Sequence, residues 1–261
     1  MSSAWPDRSK LPSADDPARA SQRAIRCLPG EVAPHVLVPG DPVRAHKIAT
    51  DYLTDAKLVM VQREFHTYTG HYRDVPVSVV STGVGAPGAC MVVQDLAKLG
   101  CDVVIRVGTA GSCHTEVKPG DNVIGLAAVR DEGLTHKFLP PMYPAAAHFS
   151  VTRSLVEQNA KHPVDSHVGI VHTSDAFSSP ALKQDIETGQ YAGVLAIEME
   201  ASAVLMTSAI EGLRAGCIFS IDGYVANVAE GNTVPDKQAR NRGIQVAINT
   251  ALESIVSLSQ S

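Results

Sequence analysis

Residues 101–111 read CDVVIRVGTAG, a continuous apolar run that leads into a glycine-rich turn. Such a run is typical of a strand that is buried on both faces of a parallel or mixed sheet. The segment just before it, PGACMVVQDLAKLG (87–100), carries apolar residues at helical spacing and stops at Gly100. A helix followed directly by a buried strand is the unit from which α/β folds are built.

The same alternation continues along the chain in both directions. The predicted strands are 35–40, 57–62, 75–83, 122–130, 167–174 and 215–223, and the other predicted helices are 41–50, 198–213 and 241–258. The pattern predicts an α/β fold with a mostly parallel or mixed sheet between helices, in a single domain over residues 25–261. Residues 1–24 are polar, proline-containing and without apolar periodicity, so we expect a flexible leader there.

The composition excludes several classes of function. The formal net charge of -5 gives no general attraction to nucleic acid or to a membrane surface, so an anion needs a local site. No apolar run reaches the length of a membrane span. The five cysteines are scattered, without a CxxC pair or metal-ligand spacing, which predicts a cytoplasmic protein without a metal site.

Two predicted strands end in residues that suit an anion. The strand at 35–40 runs into VPGDPVR, which places Gly40 at a turn and Arg44 about one helical turn further on. Free N–H groups at a helix start and an arginine suit an oxyanion, although a Gly-Asp-Pro turn is also ordinary helix capping. In VVIRVGTAG, Arg106 lies inside an apolar strand, with Thr109 close behind it. A charge in this position needs a counter-charge, either an internal carboxylate or an anionic substrate.

A third strand end carries a pair of carboxylates. In AIEMEAS, Glu198 and Glu200 flank Met199 directly after the apolar run GVLAI. Two alternate acids can simply begin a helix, where negative charge is favourable. A carboxylate is also a pure hydrogen-bond acceptor and therefore suits the hydroxyl groups of a sugar. Ligands of open α/β sheets lie beyond the carboxyl ends of strands, so these residues are expected to border a ligand site.

Taken together and in order, these segments resemble the nucleoside phosphorylase-I family of purine nucleoside and uridine phosphorylases. The resemblance runs from about Pro34 to the C-terminal helix and is carried by VPGDPVRAHKIA, REFHTYTGHY, STGVGAPGA, IRVGTAGS, VKPGDNVI, SDAF, EMEAS and the IDG turn. It implies a three-layer α/β/α domain with a mixed, partly closed and distorted sheet. It also implies a homo-oligomer, usually a hexamer built as a trimer of dimers, with inorganic phosphate as co-substrate and no other cofactor.

The resemblance also implies a role for individual residues. The residues that match the phosphate site are Gly40, Arg44, Arg106 and Thr109, together with Arg63, which matches an arginine that reaches a neighbouring subunit's phosphate. The residues that match the ribose site are Met199 and Glu200, and those on the base side are Phe177, Asp222, Ala110 and Gly111. Arg106 and Asp222 are the expected catalytic pair, because one would hold the phosphate and the other would protonate N7 of a leaving purine.

Two departures from the uridine enzymes favour a purine as the base. The stretch FSSPALKQD (177–185) lacks the Gln-x-Arg with which those enzymes read uracil, and Asp222-Gly223 stands where they tend to carry Asn-Arg. In contrast, EGLTHKFLPPMYPA resembles a stretch of the uridine enzymes, so uridine phosphorylase remains the alternative. A hydrolytic nucleosidase or a non-enzymatic nucleoside-binding relative is less consistent with the complete set of arginines.

Two further positions have more than one interpretation. The family carries a histidine near the N-terminus that reaches a neighbour's 5′-hydroxyl, and this chain has Arg23 or Ala24 there. Bacterial purine enzymes pair their acid with an arginine in the following loop, which either Arg240 or Arg242 matches.

Overall fold

The computed structural model describes residues 13, 16–226 and 237–260. Its strands are β1 (His35–Leu37), β2 (Thr54–Gln62), β3 (Phe65–Tyr72), β4 (Val75–Val80), β5 (Val103–Ser112), β6 (Asn122–Asp131), β7 (Ala145–Ala146), β8 (Ser166–Ser174), β9 (Val194–Glu198) and β10 (Arg214–Tyr224). Its helices are α1 (Pro42–Tyr52), α2 (Ala86–Lys98), α3 (Phe149–Asn159), α4 (Leu182–Tyr191), α5 (Ala201–Glu211) and α6 (Lys237–Ser259). None of these helices is both long enough and apolar enough to cross a membrane.

The strands form one mixed sheet that closes on itself at one end. Along the sheet the order is β10-β6-β8-β9-β5-β1-β4-β3-β2, and β10 also pairs with β5. The strands β5, β10, β6, β8 and β9 therefore form a ring. Within the ring β5 pairs parallel with β10 but antiparallel with β9. The closure brings the ends of β5, β9 and β10 together, and the mixed, partly closed sheet that the family resemblance implies is confirmed.

Helices cover both faces of the sheet because the central strands are apolar on both sides. In β5, Ile105 and Val107 pack into a core that includes residues of α1, α3 and α6. Val104 and Ala110 point to the opposite face and pack into a second core with residues of α2 and α5. The three-layer α/β/α architecture is therefore confirmed.

Most of the predicted elements are present, and the differences have local causes. Helices α3 and α4 are not among the elements that the sequence predicts. Helix α4 buries only Leu182, Ile186 and Gly189, so its apolar stripe is too thin to indicate a helix. Helix α5 begins at Ala201 and not at the predicted residue 198, because Glu198 still belongs to β9.

Part of the segment expected to be a flexible leader lies against the domain. The carboxylate of Asp95 on α2 is 1% exposed and accepts the backbone N–H groups of Arg23 and Ala24 at 2.9 and 2.7 Å. Arg19 donates to both carboxylate oxygens of Glu31, at 2.7 and 2.8 Å. Residues packed on the domain therefore begin before residue 25. Residues 1–12, 14 and 15 of the expected leader lie outside the described residues.

Candidate active site

A cavity of about 970 Å³ lies towards the carboxyl ends of β1, β5, β9 and β10. Its lining includes all but one of the residues that the family resemblance assigns to the phosphate, ribose or base site: Gly40, Arg44, Arg106, Thr109, Ala110, Gly111, Phe177, Met199, Glu200 and Asp222. The exception is Arg63. Four further charged residues also line the cavity: Asp41, Glu64, Glu198 and Arg240.

Arg106 is a buried charge in the cavity wall and is paired internally. Its side chain is 4% exposed, Nε donates to Glu198 Oε2 at 2.9 Å, and Nη2 donates to Glu200 Oε2. The guanidinium carbon also lies 5.4 Å from the ring centroid of Phe219. Burial acts to lower the pKa of Arg106, but the charges of Glu200 and Glu198 outweigh it and raise the pKa. The arginine is therefore held in its charged form.

One guanidinium nitrogen of Arg106 takes no part in these ion pairs. Nη1 is buried and has no hydrogen-bond partner among the described residues. It lies beside Gly40, where an added Cβ would come within 4.0 Å of Nη1 and 3.2 Å of the Gly83 carbonyl oxygen. A buried donor without an acceptor costs about 1–3 kcal/mol, which an anion in this cradle would relieve. The internal carboxylate and the anionic ligand therefore suit different nitrogens of the same arginine.

Glu198 uses its acceptor capacity within the protein. Oε1 accepts from the Thr173 hydroxyl at 2.6 Å and from the Ala201 N–H at 2.8 Å. Oε2 accepts from the Glu200 N–H at 2.9 Å as well as from Arg106 Nε. Glu198 therefore ends β9, satisfies the first N–H groups of α5 and holds Arg106, and a carboxylate so occupied does not suit a sugar.

Glu200 is the carboxylate with acceptor sites to spare. Oε1 accepts from the Gly85 N–H at 2.5 Å, and Oε2 accepts from Arg106 Nη2. Gly85 is the N-cap of α2, so the positive end of the helix dipole faces this carboxylate. Burial raises the pKa of Glu200, and the charge of Arg106 opposes the shift. A carboxylate offers about four lone-pair sites, and the part of the chain that the structure describes leaves two of them for hydroxyl donors.

Arg44 supplies a second positive charge to the cavity. Asp41 is the N-cap of α1 and Pro42 its first residue, so the helix begins at the cavity wall. Arg44 follows within the first turn, and its Nη1 lies 3.5 Å from the Val107 carbonyl oxygen. Burial lowers the pKa of Arg44 to about 10, with Arg106 contributing repulsion in the same direction. Two partly desolvated arginines in one cavity favour an anion between them.

Asp222 reaches the cavity through an irregularity in β10. In the pairing of β10 with β5 the register shifts between Ile221 and Gly223, which leaves Asp222 as an extra residue. A bulge of this kind re-aims a side chain, and Asp222 lines the cavity. Burial raises the pKa of Asp222, whereas the positive charge of Arg240 opposes the shift. A carboxyl group with a raised pKa is suited to hold and deliver a proton.

The cavity wall near Asp222 is largely apolar. Ile197 packs against a small buried cluster that contains Leu182 and Val225, and all three line the cavity. Phe177 also lines it and is 70% exposed. Such a surface suits the faces of a flat aromatic ring, with the polar groups of Asp222 at one side.

Arg63 lies in the turn between β2 and β3 and does not line the cavity. Its φ is 52°, in the left-handed region, and its side chain is exposed. The next residue, Glu64, does line the cavity, and its Cγ lies 2.8 Å from where a Cβ on Gly83 would be. The turn therefore stands at the cavity edge, with Glu64 in the cavity wall and the exposed Arg63 outside it.

The structure decides between some of the alternatives left by the sequence. Arg240 lines the large cavity, whereas Arg242 lines a separate small one. Ala24 is fully buried and Arg23 is exposed, so Ala24 offers no polar side chain to a ligand. The bridging role of Glu198 was missed, because an acid that ends a strand looks like an ordinary helix start in the sequence.

Comparison with known proteins gives consistent matches over nearly the whole chain. A model described as the phosphorylase superfamily matches residues 34–256. A uridine phosphorylase of Thermococcus kodakarensis is 37% identical over 226 residues, 81% of each chain. A guanosine phosphorylase of Halorubrum lacusprofundi is 31% identical over 240 residues, 88% of this chain and 98% of the relative. The crystal structure of a purine nucleoside phosphorylase from Toxoplasma gondii in complex with immucillin-H has a TM-score of 0.85 at 28% identity, covering 92% of this chain and 96% of that chain.

Proposed function

Because the chain belongs to the phosphorylase superfamily, we propose that it cleaves inosine- and guanosine-type nucleosides with phosphate, giving the free base and ribose 1-phosphate for purine salvage. The chain is a pentosyltransferase of the nucleoside phosphorylase family, and the purine preference is the proposed part. The observation that carries it is Asp222, an acid with a raised pKa in the cavity wall. A purine leaves more readily when N7 is protonated or hydrogen-bonded, and uracil has no equivalent atom.

The phosphate is proposed to bind between Arg44 and Arg106. Arg106 Nη1 and the small residue Gly40 form one side of the site, and Thr109 adds a hydroxyl. Phosphate is a poor nucleophile. Holding it against the sugar lowers the activation free energy, by up to about 7–11 kcal/mol in ideal cases. A hydrolase has no anion to hold, and it would gain nothing from a half-buried Arg44 beside a buried Arg106 whose Nη1 has no partner among the described residues.

The ribose is proposed to lie between the phosphate and the base, against Met199 and Glu200. Glu200 accepts from the 2′ and 3′ hydroxyls with its remaining acceptor sites. The glycosidic carbon reacts through an oxocarbenium-like state that carries positive charge. The phosphate dianion and the buried Glu200 carboxylate would both stabilise that charge.

The base is proposed to lie against Phe177 with its N7 towards Asp222. Ala110 and Gly111 are small, so the ring can approach the β5 backbone closely. Among the described residues that line the cavity there is no glutamine to read the uracil edge. Arg240 is the charge that favours the ionised form of Asp222 after the proton has left.

A substrate panel tests the purine preference. With saturating phosphate, we expect kcat/KM for inosine and guanosine to exceed that for uridine by about 10²-fold or more, because only a purine uses the acid. Base release is followed by absorbance or by chromatography. Uridine cleaved as fast as inosine would reject the purine preference and leave the family assignment intact.

Uridine phosphorolysis is the second candidate function. It is favoured by the 37% identical relative named uridine phosphorylase. In that case Asp222 would have no purine nitrogen to protonate, and its substitution would have little effect on uridine. The same panel therefore separates the two candidates.

The active assembly is proposed to be a homo-oligomer, a hexamer built as a trimer of dimers, in which Arg63 completes a neighbour's phosphate site. The exposed position of Arg63 at the cavity edge supports this, as does the absence of a contact with its own cavity in the described residues. A cytoplasmic location belongs to the same proposal, since all five cysteines are free and buried.

Substitution of Arg63 tests the shared site. We expect Arg63→Ala to raise the KM for phosphate by about tenfold or more with little change in melting temperature, because an exposed arginine contributes little to folding. The matched control is Arg73→Ala, another exposed arginine with positive φ. Sedimentation analysis gives the assembly state, and a fully active monomer would contradict the proposal.

A further inference from the structure

Thr173 lies near the end of β8. It is hydrogen-bonded to Glu198, the carboxylate that pairs with Arg106, but it does not line the cavity. It is fully buried and is not among the cavity residues. Its hydroxyl donates to Glu198 Oε1 at 2.6 Å and accepts the Ser202 N–H at 2.9 Å. Because the Ser202 N–H occupies one side of the oxygen, the single hydroxyl proton is directed at Glu198.

Glu198 passes this constraint to Arg106. The carboxylate is fixed on one oxygen by Thr173 and Ala201 and on the other by Arg106 Nε. A guanidinium is planar, so the direction of Nε sets the direction of Nη1 as well. The hydrogen bond from Thr173 to Glu198 therefore influences the orientation of Arg106 Nη1 beside Gly40.

We propose that Thr173 is a positioning residue for phosphate binding, acting through Glu198 on Arg106 without contacting any substrate. The inference rests on the proposed role of Arg106 in holding phosphate. Thr173, Glu198 and Arg106 lie on three different strands, β8, β9 and β5. The closed ring of strands therefore fixes the orientation of the Arg106 guanidinium. Loss of the hydroxyl leaves Glu198 Oε1 with the Ala201 N–H as its one donor among the described residues, and lets the carboxylate and the guanidinium turn together.

The test compares three substitutions in the full-length protein. Thr173→Val keeps the shape and removes the hydroxyl, Thr173→Ser keeps the hydroxyl and removes the methyl group, and Thr173→Ala removes both. The matched control is Thr207→Val, a buried threonine on α5 that is not bonded to Glu198 or Arg106 in the described residues. The KM for phosphate and for the nucleoside that wild type cleaves fastest is measured, with melting temperatures alongside.

We expect Thr173→Val and Thr173→Ala to raise the KM for phosphate by about tenfold or more, the effect of losing a hydrogen bond to a charged group. The nucleoside KM should change much less, and Thr173→Ser should restore the phosphate KM. Thr207→Val should alter neither constant, even if it lowers the melting temperature.

A purely structural role for Thr173 predicts a different pattern. The inference is overturned if Thr173→Val or Thr173→Ala keeps the wild-type phosphate KM, or if Thr173→Ser is as impaired as Thr173→Val. If Thr173→Val does not fold, Thr173→Ala and Thr173→Ser decide the question. The proposed function fails separately, when the wild-type protein itself shows no saturation by phosphate.

Discussion

Arg106→Ala is expected to lower kcat/KM for phosphate by about 10³-fold or more, because a charged donor aimed at the reacting anion is lost. The same change leaves Glu198 and Glu200 buried without their counter-charge. Breaking a buried pair in this way costs about 3–5 kcal/mol, so the melting temperature should fall as well. Activity and stability are therefore measured together, by steady-state kinetics and thermal unfolding.

Arg106→Lys separates the effect of Arg106 on phosphate kinetics from its effect on stability. Lysine keeps a positive charge near both carboxylates but lacks the fork that holds Glu198, Glu200 and an anion at once. We expect near-wild-type folding and a loss of about 10²-fold in kcat/KM for phosphate. The control is Arg214→Ala, which removes the ion pair with Asp102 at the start of β10, away from the cavity. Unchanged phosphate kinetics in Arg106→Lys would contradict a role in phosphate binding and would show that Arg106 serves only as the counter-charge of Glu198 and Glu200.

Asp222→Asn is expected to slow inosine phosphorolysis by about 10²–10⁴-fold, mainly in kcat. Asparagine keeps the shape and a hydrogen-bond donor but cannot transfer a proton to N7. Because burial raises the pKa of Asp222, the wild-type rate should fall as the pH rises through that pKa. The variant should lack this alkaline limb, which a pH profile of kcat/KM measures.

The substrate 7-methylinosine is the matched control for the acid role. Its base already carries a positive charge and leaves readily, so Asp222→Asn should affect it little. If Asp222 only stabilises the turn at Gly223, both substrates should slow alike. Equal slowing of inosine and 7-methylinosine would therefore reject the acid role.

The layers of the fold could be predicted from the sequence because the strands are apolar on both faces. An apolar run such as 101–111 is stable mainly when both of its faces are covered. In the structure, β5 lies between two layers of helices. The closure of the sheet could not be read from the same pattern. It depends on β10 pairing with both β5 and β6, and apolar periodicity does not encode strand order.

Some features of the candidate site could likewise be predicted from the sequence, and others could not. Arg106 stands out because a charge in an apolar strand needs a partner, but the sequence offered internal and ligand partners as alternatives. The structure gives Nε and Nη2 to carboxylates and leaves Nη1 beside Gly40. A bulge at Asp222 is invisible in the sequence, because it depends on the register with a distant strand.

The choice between Arg240 and Arg242 also needed the structure. Residues two apart on a helix point about 200° apart, so only the docking of α6 decides which one faces the cavity. Arg240 does, and Arg242 lies at another cavity with Asp121 and Asp165. Spacing along the chain carries no information on that docking.

A phosphorylase differs from a hydrolase in its requirement for phosphate. Wild-type protein is freed of phosphate and incubated with inosine, with and without added phosphate, and the sugar product is followed by ³¹P NMR. We predict no hypoxanthine release without phosphate, and with it one ribose 1-phosphate for each hypoxanthine formed. Undiminished release in phosphate-free buffer, with free ribose as the product, would contradict the assignment of Arg44 and Arg106 to a phosphate nucleophile.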